Sequence, residues 1–361
     1  MKLPHRLLLA LLPVLAGAAV WLTRLPPEPA YEGKPLSQWI AEIRAGLMAS
    51  PPHRDPSFTE DEAIRAMGLE ALPGLLDSVR PMNFEPWWSA TYRRGYFGLA
   101  LALRRHLPAP ARWDPSAESA FQDFVAGRCD ELWPQSGPLL LKTLRHPRAE
   151  VRVTAAMALR RRTNRPPEVL FALTNCLKDQ NGEMCGWVAL AISSFGAAAS
   201  NAVPAIVDNL LPANLPADFK PSDTGRTLAA TALGIIGPPA VAAVPVLQTG
   251  AGQRTNAYFR VTCATALWQI RHQASDALPA LVEEFDQVSA GMPMIFTALG
   301  EMGPEAAEVV PRILRFLDST QNPNVFGFGA VFNRQVALDA LRKIAPDAAA
   351  KWEREAEAKE P

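Results

Sequence analysis

The side chains that could do chemistry are few and scattered in this 361-residue chain. Its five histidines are His5, His53, His106, His146 and His272. None of them is followed by glutamate, and no H-E-x-x-H, G-x-S-x-G or P-loop motif occurs. The acidic group Glu283, Glu284 and Asp286 is typical of a solvated helix face. We therefore predict no catalytic residue, no cofactor-binding residue and no metal site.

The four cysteines also lack a recognisable pattern. They are Cys129, Cys176, Cys185 and Cys263, and no C-x-x-C pair occurs among them. Lone cysteines are commonly small buried hydrophobes, which is the interpretation we favour. A disulfide between Cys176 and Cys185 stays open, because the two are nine residues apart across a predicted loop and an exported chain meets an oxidising compartment.

One charged residue type does recur at a fixed position. Arg152, Arg226, Arg260 and Arg334 each stand seven residues before the end of a predicted helix, and Cys185 and Met292 interrupt the series. An arginine in a first helical turn can bond loop carbonyls or acidic residues of the neighbouring unit. We predict a structural repeat ladder that maintains the register between units. The alternative is an array that binds an acidic partner.

The overall charge argues against a polyanionic partner. Lysine plus arginine number 36, and aspartate plus glutamate also number 36. Non-specific binding to nucleic acid requires an excess of positive charge, and the cluster Arg160–Arg162 fits the cation-favouring end of a helix. We therefore predict no nucleic-acid partner.

These positions belong to a repeated phrase of helix, turn and helix. The first helix of each copy ends in an aliphatic residue at positions 159, 192, 233, 267, 299 and 341. A glycine four residues later can take the left-handed conformation that ends a helix, and a proline eight residues after it fits the first turn of a second helix. The turn residues are Gly196 with Pro204, Gly237 with Pro245, Gly303 with Pro311, and Pro279 in a copy where Arg271 replaces the glycine.

The phrase V-R-x-x-A-A-x-A-L at Val151–Leu159 and the phrase G-x-x-A-x-x-A-V-P at Gly237–Pro245 resemble HEAT repeats. The resemblance covers residues 145–345 well and residues 60–140 loosely. It implies an all-α fold, a right-handed α-α solenoid of stacked helical hairpins. The segment Tyr31–Trp39 is similar to one that follows the membrane anchor in uncharacterised exported bacterial HEAT-repeat proteins.

The N-terminus carries an export signal. Lys2 and Arg6 precede the uncharged residues 7–22, so residues 1–24 are predicted to be a signal peptide or an N-terminal membrane anchor. We favour the uncleaved anchor, whereas Ala16-Gly17-Ala18 leaves cleavage open. The positive-inside rule places the short N-terminus in the cytoplasm and the repeats outside it. Cleavage would give a secreted or periplasmic protein.

The remaining divisions follow from the repeat. We predict a linker over residues 25–36, irregular helical repeats or a cap over 37–140, the solenoid over 141–350 and a charged tail over 351–361. The longer connections are 212–223 and 319–333, and the latter carries Phe326, Phe328 and Phe332. Those phenylalanines either pack on the solenoid or form a binding loop.

We predict a non-enzymatic scaffold that binds a protein partner through its concave face and its inter-repeat loops. Two alternatives remain. The chain is an accessory or modifying enzyme with a pocket in its N-terminal third, or it is a structural component of the cell envelope.

Overall fold

The computed structural model describes residues 28–48, 58–81, 115–161, 166–208, 222–287, 292–319 and 328–358. In these ranges the chain is all-α apart from one small hairpin, and it forms two compact units, residues 1–128 and residues 129–361. The predicted anchor at residues 7–22 lies outside the described residues. Among the helices described, none is both long enough and apolar enough to cross a membrane.

A β-hairpin lies inside the predicted linker, at the start of the described residues. Strand β1 (Ala30–Tyr31) pairs antiparallel with β2 (Lys34–Pro35). The connecting residues Glu32 and Gly33 have φ values of 50° and 76°, as a two-residue hairpin turn requires. The hairpin places the Lys34 ammonium 3.6 Å from the centre of the Trp39 ring, so a cation covers the buried indole.

Four helices follow in the described residues of the first unit. They are α1 (Leu36–Met48), α2 (Phe58–Met67), α3 (Ala71–Ser78) and α4 (Pro115–Glu131), and α4 contains the boundary between the units. A 3₁₀ turn at Gly68–Glu70 joins α2 to α3, and α1 packs against both of them. Ile43, Leu72 and Phe121 are fully buried in this unit.

The second unit is a succession of short helices. They are α5 (Gly137–Thr143), α6 (Ala149–Arg160), α7 (Pro167–Cys176), α8 (Gly182–Ser193), α9 (Val203–Asp208), α10 (Asp223–Ile236), α11 (Val244–Ala251), α12 (Ala257–Arg271), α13 (Ala274–Asp286), α14 (Met292–Met302), α15 (Val310–Ser319), α16 (Phe328–Ile344) and α17 (Pro346–Glu357). Three 3₁₀ helices precede α9, α11 and α15, at Gly196–Ala202, Pro238–Ala243 and Gly303–Val309.

Alternate helices pack against one another in chain order. We call α6, α8, α10, α12, α14 and α16 the first helices, and each packs on the next one in that order. The intervening second helices fill the other side, where α13 packs on α12 and α17 packs on α16. In each first helix, a buried alanine precedes the aliphatic residue at position 159, 192, 233, 267, 299 or 341, which lets the backbones approach. These alanines are Ala158, Ala191, Ala232, Ala266, Ala298 and Ala340.

Glycines allow the close approach of two first helices, α8 and α10. A Cβ added to Gly225 of α10 would lie 2.0 Å from the carbonyl oxygen of Gly182 in α8. A Cβ added to Gly186 would lie 2.5 Å from the carbonyl oxygen of Gly225. The α8 and α10 backbones are therefore in direct contact, and no side chain fits between them.

In three copies of the repeat the predicted turn glycine has a positive φ, and in one copy another residue takes that conformation. Gly196, Gly237 and Gly303 have φ values of 56°, 75° and 59°. In the other copy the left-handed residue is His272, with φ 51° and ψ 40°, because α12 runs one residue further and includes Arg271.

The prolines show the same exception. Pro204, Pro245 and Pro311 each occupy the second position of a second helix. Pro279 lies inside α13, which begins at Ala274, so the prediction that Pro279 opens its helix is wrong. The reason is local: this copy has no 3₁₀ helix in its turn, and the α-helix starts five residues earlier.

In the C-terminal part, helices include residues of the predicted loop and of the predicted charged tail. Helix α16 begins at Phe328, so Phe328 and Phe332 lie in a helix and not in the predicted loop. Phe326 lies outside the described residues. Helix α17 includes Lys351 to Glu357 of the predicted tail, and its buried Trp352 donates a hydrogen bond from Nε1 to Asp318 Oδ1 at 2.8 Å.

Candidate functional site

Arg152 joins the start of one first helix to the loop that leads to the next. Its guanidinium donates to the backbone carbonyls of His146 and Pro147 at 2.8 and 2.9 Å. It also donates to Asp179 Oδ1 at 2.9 Å, and Asp179 lies in the loop before α8. The two kinds of partner, loop carbonyls and an acidic residue, are those expected of a ladder position.

Arg226 makes the equivalent contact two pairs of helices further on. Its guanidinium donates to Gln253 Oε1 at 3.3 Å, and Gln253 follows Arg226 by 27 residues, as Asp179 follows Arg152. The guanidinium also lies 4.3 Å from the ring centre of Phe259 in α12. Arg226 thus contacts the start of the following helical pair, through a hydrogen bond to the loop before α12 and through an aromatic ring of α12.

Arg260 is the most buried member of the series, with 4% of its surface exposed. It donates from Nε to the carbonyl of Ala251 at 2.8 Å, and from its terminal nitrogens to Glu284 at 2.8 Å and to Glu283. Burial disfavours the guanidinium charge, but the hydrogen bonds to Glu283 and Glu284 outweigh it and raise the pKa of Arg260. The acidic group at Glu283 and Glu284 is therefore the counter-charge of this arginine.

The other positions of the series differ. Arg334 lies 5.2 Å from the ring centre of Trp352 and so contacts the second helix of its own pair. Cys185 replaces the arginine in α8, and its Sγ lies 3.3 Å from the carbonyl oxygens of both Leu177 and Asp179. The cysteine thus takes the loop carbonyls that an arginine takes elsewhere. The side chain of Met292 lies outside the described residues.

The described cysteines are all free thiols. Burial raises the pKa of Cys129, Cys185 and Cys263 to about 12, and it also raises the pKa of the half-buried Cys176. These thiols are protonated at neutral pH, which is the state of packed cysteines and not of nucleophiles.

A solvent-facing surface runs across the first helices. In α10 the residues Ala229, Ala230 and Ala232 are buried, whereas Leu228 and Thr231 are partly exposed and Ile235 is 50% exposed. The same helical spacing exposes one side of α8 and of α12. We call the uncharged residues on this side of the three helices the open face: Trp187, Ser194, Leu228, Thr231, Ile235, Tyr258, Thr265 and Gln269.

The open face is more apolar than its residue types suggest. Tyr258 is 56% exposed and, with Ile235, supplies large apolar surface. The Thr231 and Thr265 hydroxyls donate to the carbonyls of Thr227 and Val261 at 2.9 Å, four residues back in their own helices. Those hydroxyls are already used as donors, so a ligand of this face meets methyl groups and hydroxyl acceptors.

The first unit contains a buried charge cluster that the sequence patterns did not indicate. Arg44 on α1 pairs with Glu118 on α4, and both side chains are buried. Arg44 also donates to the carbonyl of Ser78 at 2.6 Å, while Glu118 accepts from the backbone N–H of Arg80 at 2.9 Å. Every group has a partner, so the cluster holds elements of the first unit together and offers no reactive group.

The comparisons with known proteins supply no family. No protein-family model matches the chain, and no curated protein matches it. In the described ranges, no group of three or more His, Cys, Asp or Glu side chains is placed to hold a metal ion. The arginine series and the open face are therefore the features on which a functional proposal has to rest.

Proposed function

We propose that the second unit is a right-handed α-α solenoid of HEAT-like hairpins and that it acts as a non-enzymatic scaffold for another protein. The chain-order packing of the first helices supports the solenoid, because each hairpin buries its apolar side against its neighbours. Arg152, Arg226 and Arg260 support the register of this stack through their contacts with the loops between helices.

The binding surface in this proposal is the open face, which we assign to the concave side of the solenoid. The observation that carries the proposal is its repetition: three helices that pack on one another in chain order each leave uncharged side chains partly exposed, and Ile235 and Tyr258 are half exposed. Exposed apolar patches bounded by polar residues commonly mark protein-binding sites. The partner would present an uncharged, mainly apolar segment.

The proposal also places the repeats outside the cytoplasm, tethered by residues 7–22 or released after cleavage. It rests on Lys2 and Arg6 before an uncharged run. Labelling of intact cells with a membrane-impermeant amine reagent is expected to reach exposed lysines such as Lys351. Labelling that appears only after lysis would contradict this location.

Quantitative co-purification tests the binding surface. Full-length protein is isolated from its native cells after gentle solubilisation, as wild type, as Ile235→Asp and as Phe171→Asp. Phe171 is the matched control, because it is 72% exposed but lies on α7, a second helix. We expect a stoichiometric protein partner with wild type and with Phe171→Asp, and its loss with Ile235→Asp. Equal recovery from both variants would refute the assignment of the open face.

A further inference from the structure

The turns between first and second helices form a surface of their own, distinct from the open face. We call it the turn edge, and its successive members are Arg160 with Arg161, the turn Gly196–Ala202, the turn Pro238–Ala243, residues 272–276 and the turn Gly303–Val309. The turn Gly196–Ala202 packs directly on Pro238–Ala243, and Gly303–Val309 packs on α13. The members therefore follow one another along the second unit in chain order.

The middle of the turn edge carries no charge. Residues 196–207 and 236–253 contain no Asp, Glu, Lys, Arg or His. Val241 is 61% exposed, and its neighbours Pro238, Pro239 and Ala242 are also exposed. In the adjacent turn Ala197 and Ala198 are exposed as well. An uncharged patch of small and apolar side chains on a soluble surface is a candidate contact site.

The two ends of the turn edge have opposite charges. Arg160 and Arg161 are exposed at the N-terminal end, two turns before Pro238–Ala243. Glu305 and Glu308 are exposed at the C-terminal end, two turns after it. The edge is thus basic at one end and acidic at the other, with the uncharged Val241 in the central member; in the fourth member Asp276 is paired with Arg271.

We propose that two copies of this chain pair antiparallel along the turn edge, with the two-fold axis near Val241. A two-fold contact brings each residue near the axis against its own copy, which is favourable only where that residue carries no charge. The same symmetry places the basic end of one copy opposite the acidic end of the other. The chain has 36 basic and 36 acidic residues, so no net charge repels the second copy.

This pairing is independent of the scaffold function, because Tyr258 and the rest of the open face take no part in it. Sedimentation equilibrium of the full-length chain in mild nonionic detergent, over a wide range of protein concentration, measures it. We expect a reversible dimer for wild type and a monomer for Val241→Asp, because that substitution places two carboxylates at the axis. A wild type that is monomeric throughout, or a Val241→Asp dimer of unchanged affinity, would overturn the proposal.

A charge exchange tests the antiparallel direction. Arg160→Glu alone or Glu308→Arg alone is expected to weaken the dimer by about tenfold, because each two-fold interface contains the affected contact twice. The double variant, which exchanges the charges, is expected to dimerise like wild type. Lys178→Glu, an exposed reversal in the loop between α7 and α8, is the control and leaves the dimer unchanged. A double variant that dimerises more weakly than either single variant would overturn the antiparallel arrangement. Binding of a different protein to the turn edge would overturn the assignment of a second copy as its occupant.

Discussion

Replacing Arg260 by methionine tests whether the arginine series holds the second unit together. Methionine keeps much of the apolar stem but removes the guanidinium, which donates to the Ala251 carbonyl, to Glu284 and to Glu283. Glu284 is only 2% exposed, so its carboxylate would remain buried without its cation. Breaking a buried pair in this way costs about 3–5 kcal/mol of unfolding free energy.

The control comes from the same cluster. Arg254 lies 2.8 Å from Glu283, the carboxylate that Arg260 also binds, but the Arg254 side chain is 76% exposed. Arg254→Met should therefore unfold close to wild type, because exposed pairs contribute little. The double variant Arg260→Met with Glu284→Met should recover part of the loss, since no buried charge is left alone.

Urea unfolding of the three variants and the wild type, followed by circular dichroism at the helical minimum, measures these differences. The first transition is the one to compare, because arrays of repeats can unfold in steps. If Arg260→Met were as stable as Arg254→Met, the buried arginine would not stabilise the stack, and the structural interpretation of the series would be wrong.

Three further predictions concern pH, packing and thiol reactivity. The hydrogen bond from Arg260 lowers the pKa of Glu283 below its ordinary 4.5. The stabilisation from this pair is therefore present above pH 4.5 and is lost as the pH falls through the lower pKa of the folded state. The difference in unfolding free energy between wild type and Arg260→Met should narrow when urea unfolding is measured at acidic pH. Gly225→Ala should cost about 1–3 kcal/mol or more in urea unfolding, because its Cβ would meet the Gly182 carbonyl at 2.0 Å, whereas Gly252→Ala, with no contact nearer than 3.4 Å, should be close to neutral. A thiol reagent at mildly alkaline pH should modify the half-buried Cys176 first in the folded protein, and equal rates at all four sites would contradict the burial that raises the pKa of Cys129, Cys185 and Cys263 to about 12.

The helical turns followed closely from sequence because their signals are local. A glycine at φ 75°, such as Gly237, has few substitutes, and its position after an aliphatic helix end is visible without a structure. The exception at His272 was not visible, since it depends on one additional residue in α12. A helix that continues through Arg271 moves the left-handed position by one, and histidine tolerates that conformation better than most side chains.

The starts of three first helices had a sequence signal, their capping residues, that the repeat pattern did not include. Asn181, Ser222 and Asn256 each stand directly before a first helix and accept a hydrogen bond from a backbone N–H three residues later. Asparagine and serine are preferred caps, so these starts could have been predicted. The Arg44–Glu118 pair had no such signal, because its members are 74 residues apart and no repeat or motif links them.

The residues of the open face could be predicted only in part from the sequence. The alternation of buried alanines and exposed positions in α10 is readable as helical periodicity. Which neighbouring residues share that surface depends on how α8, α10 and α12 align, and the close contact of Gly186 with Gly225 determines part of that alignment. A pattern within one helix does not contain this information.

Site-specific photo-crosslinking tests the central claim most directly. A benzophenone amino acid replaces Tyr258 on the open face or Phe171 on α7, in the full-length chain in its native cells, so that both probes take the place of an exposed aromatic residue. The account predicts that irradiation captures one protein partner at position 258 and that the same adduct is absent at position 171. Adducts of equal yield at both positions, or capture at position 171 alone, would contradict it.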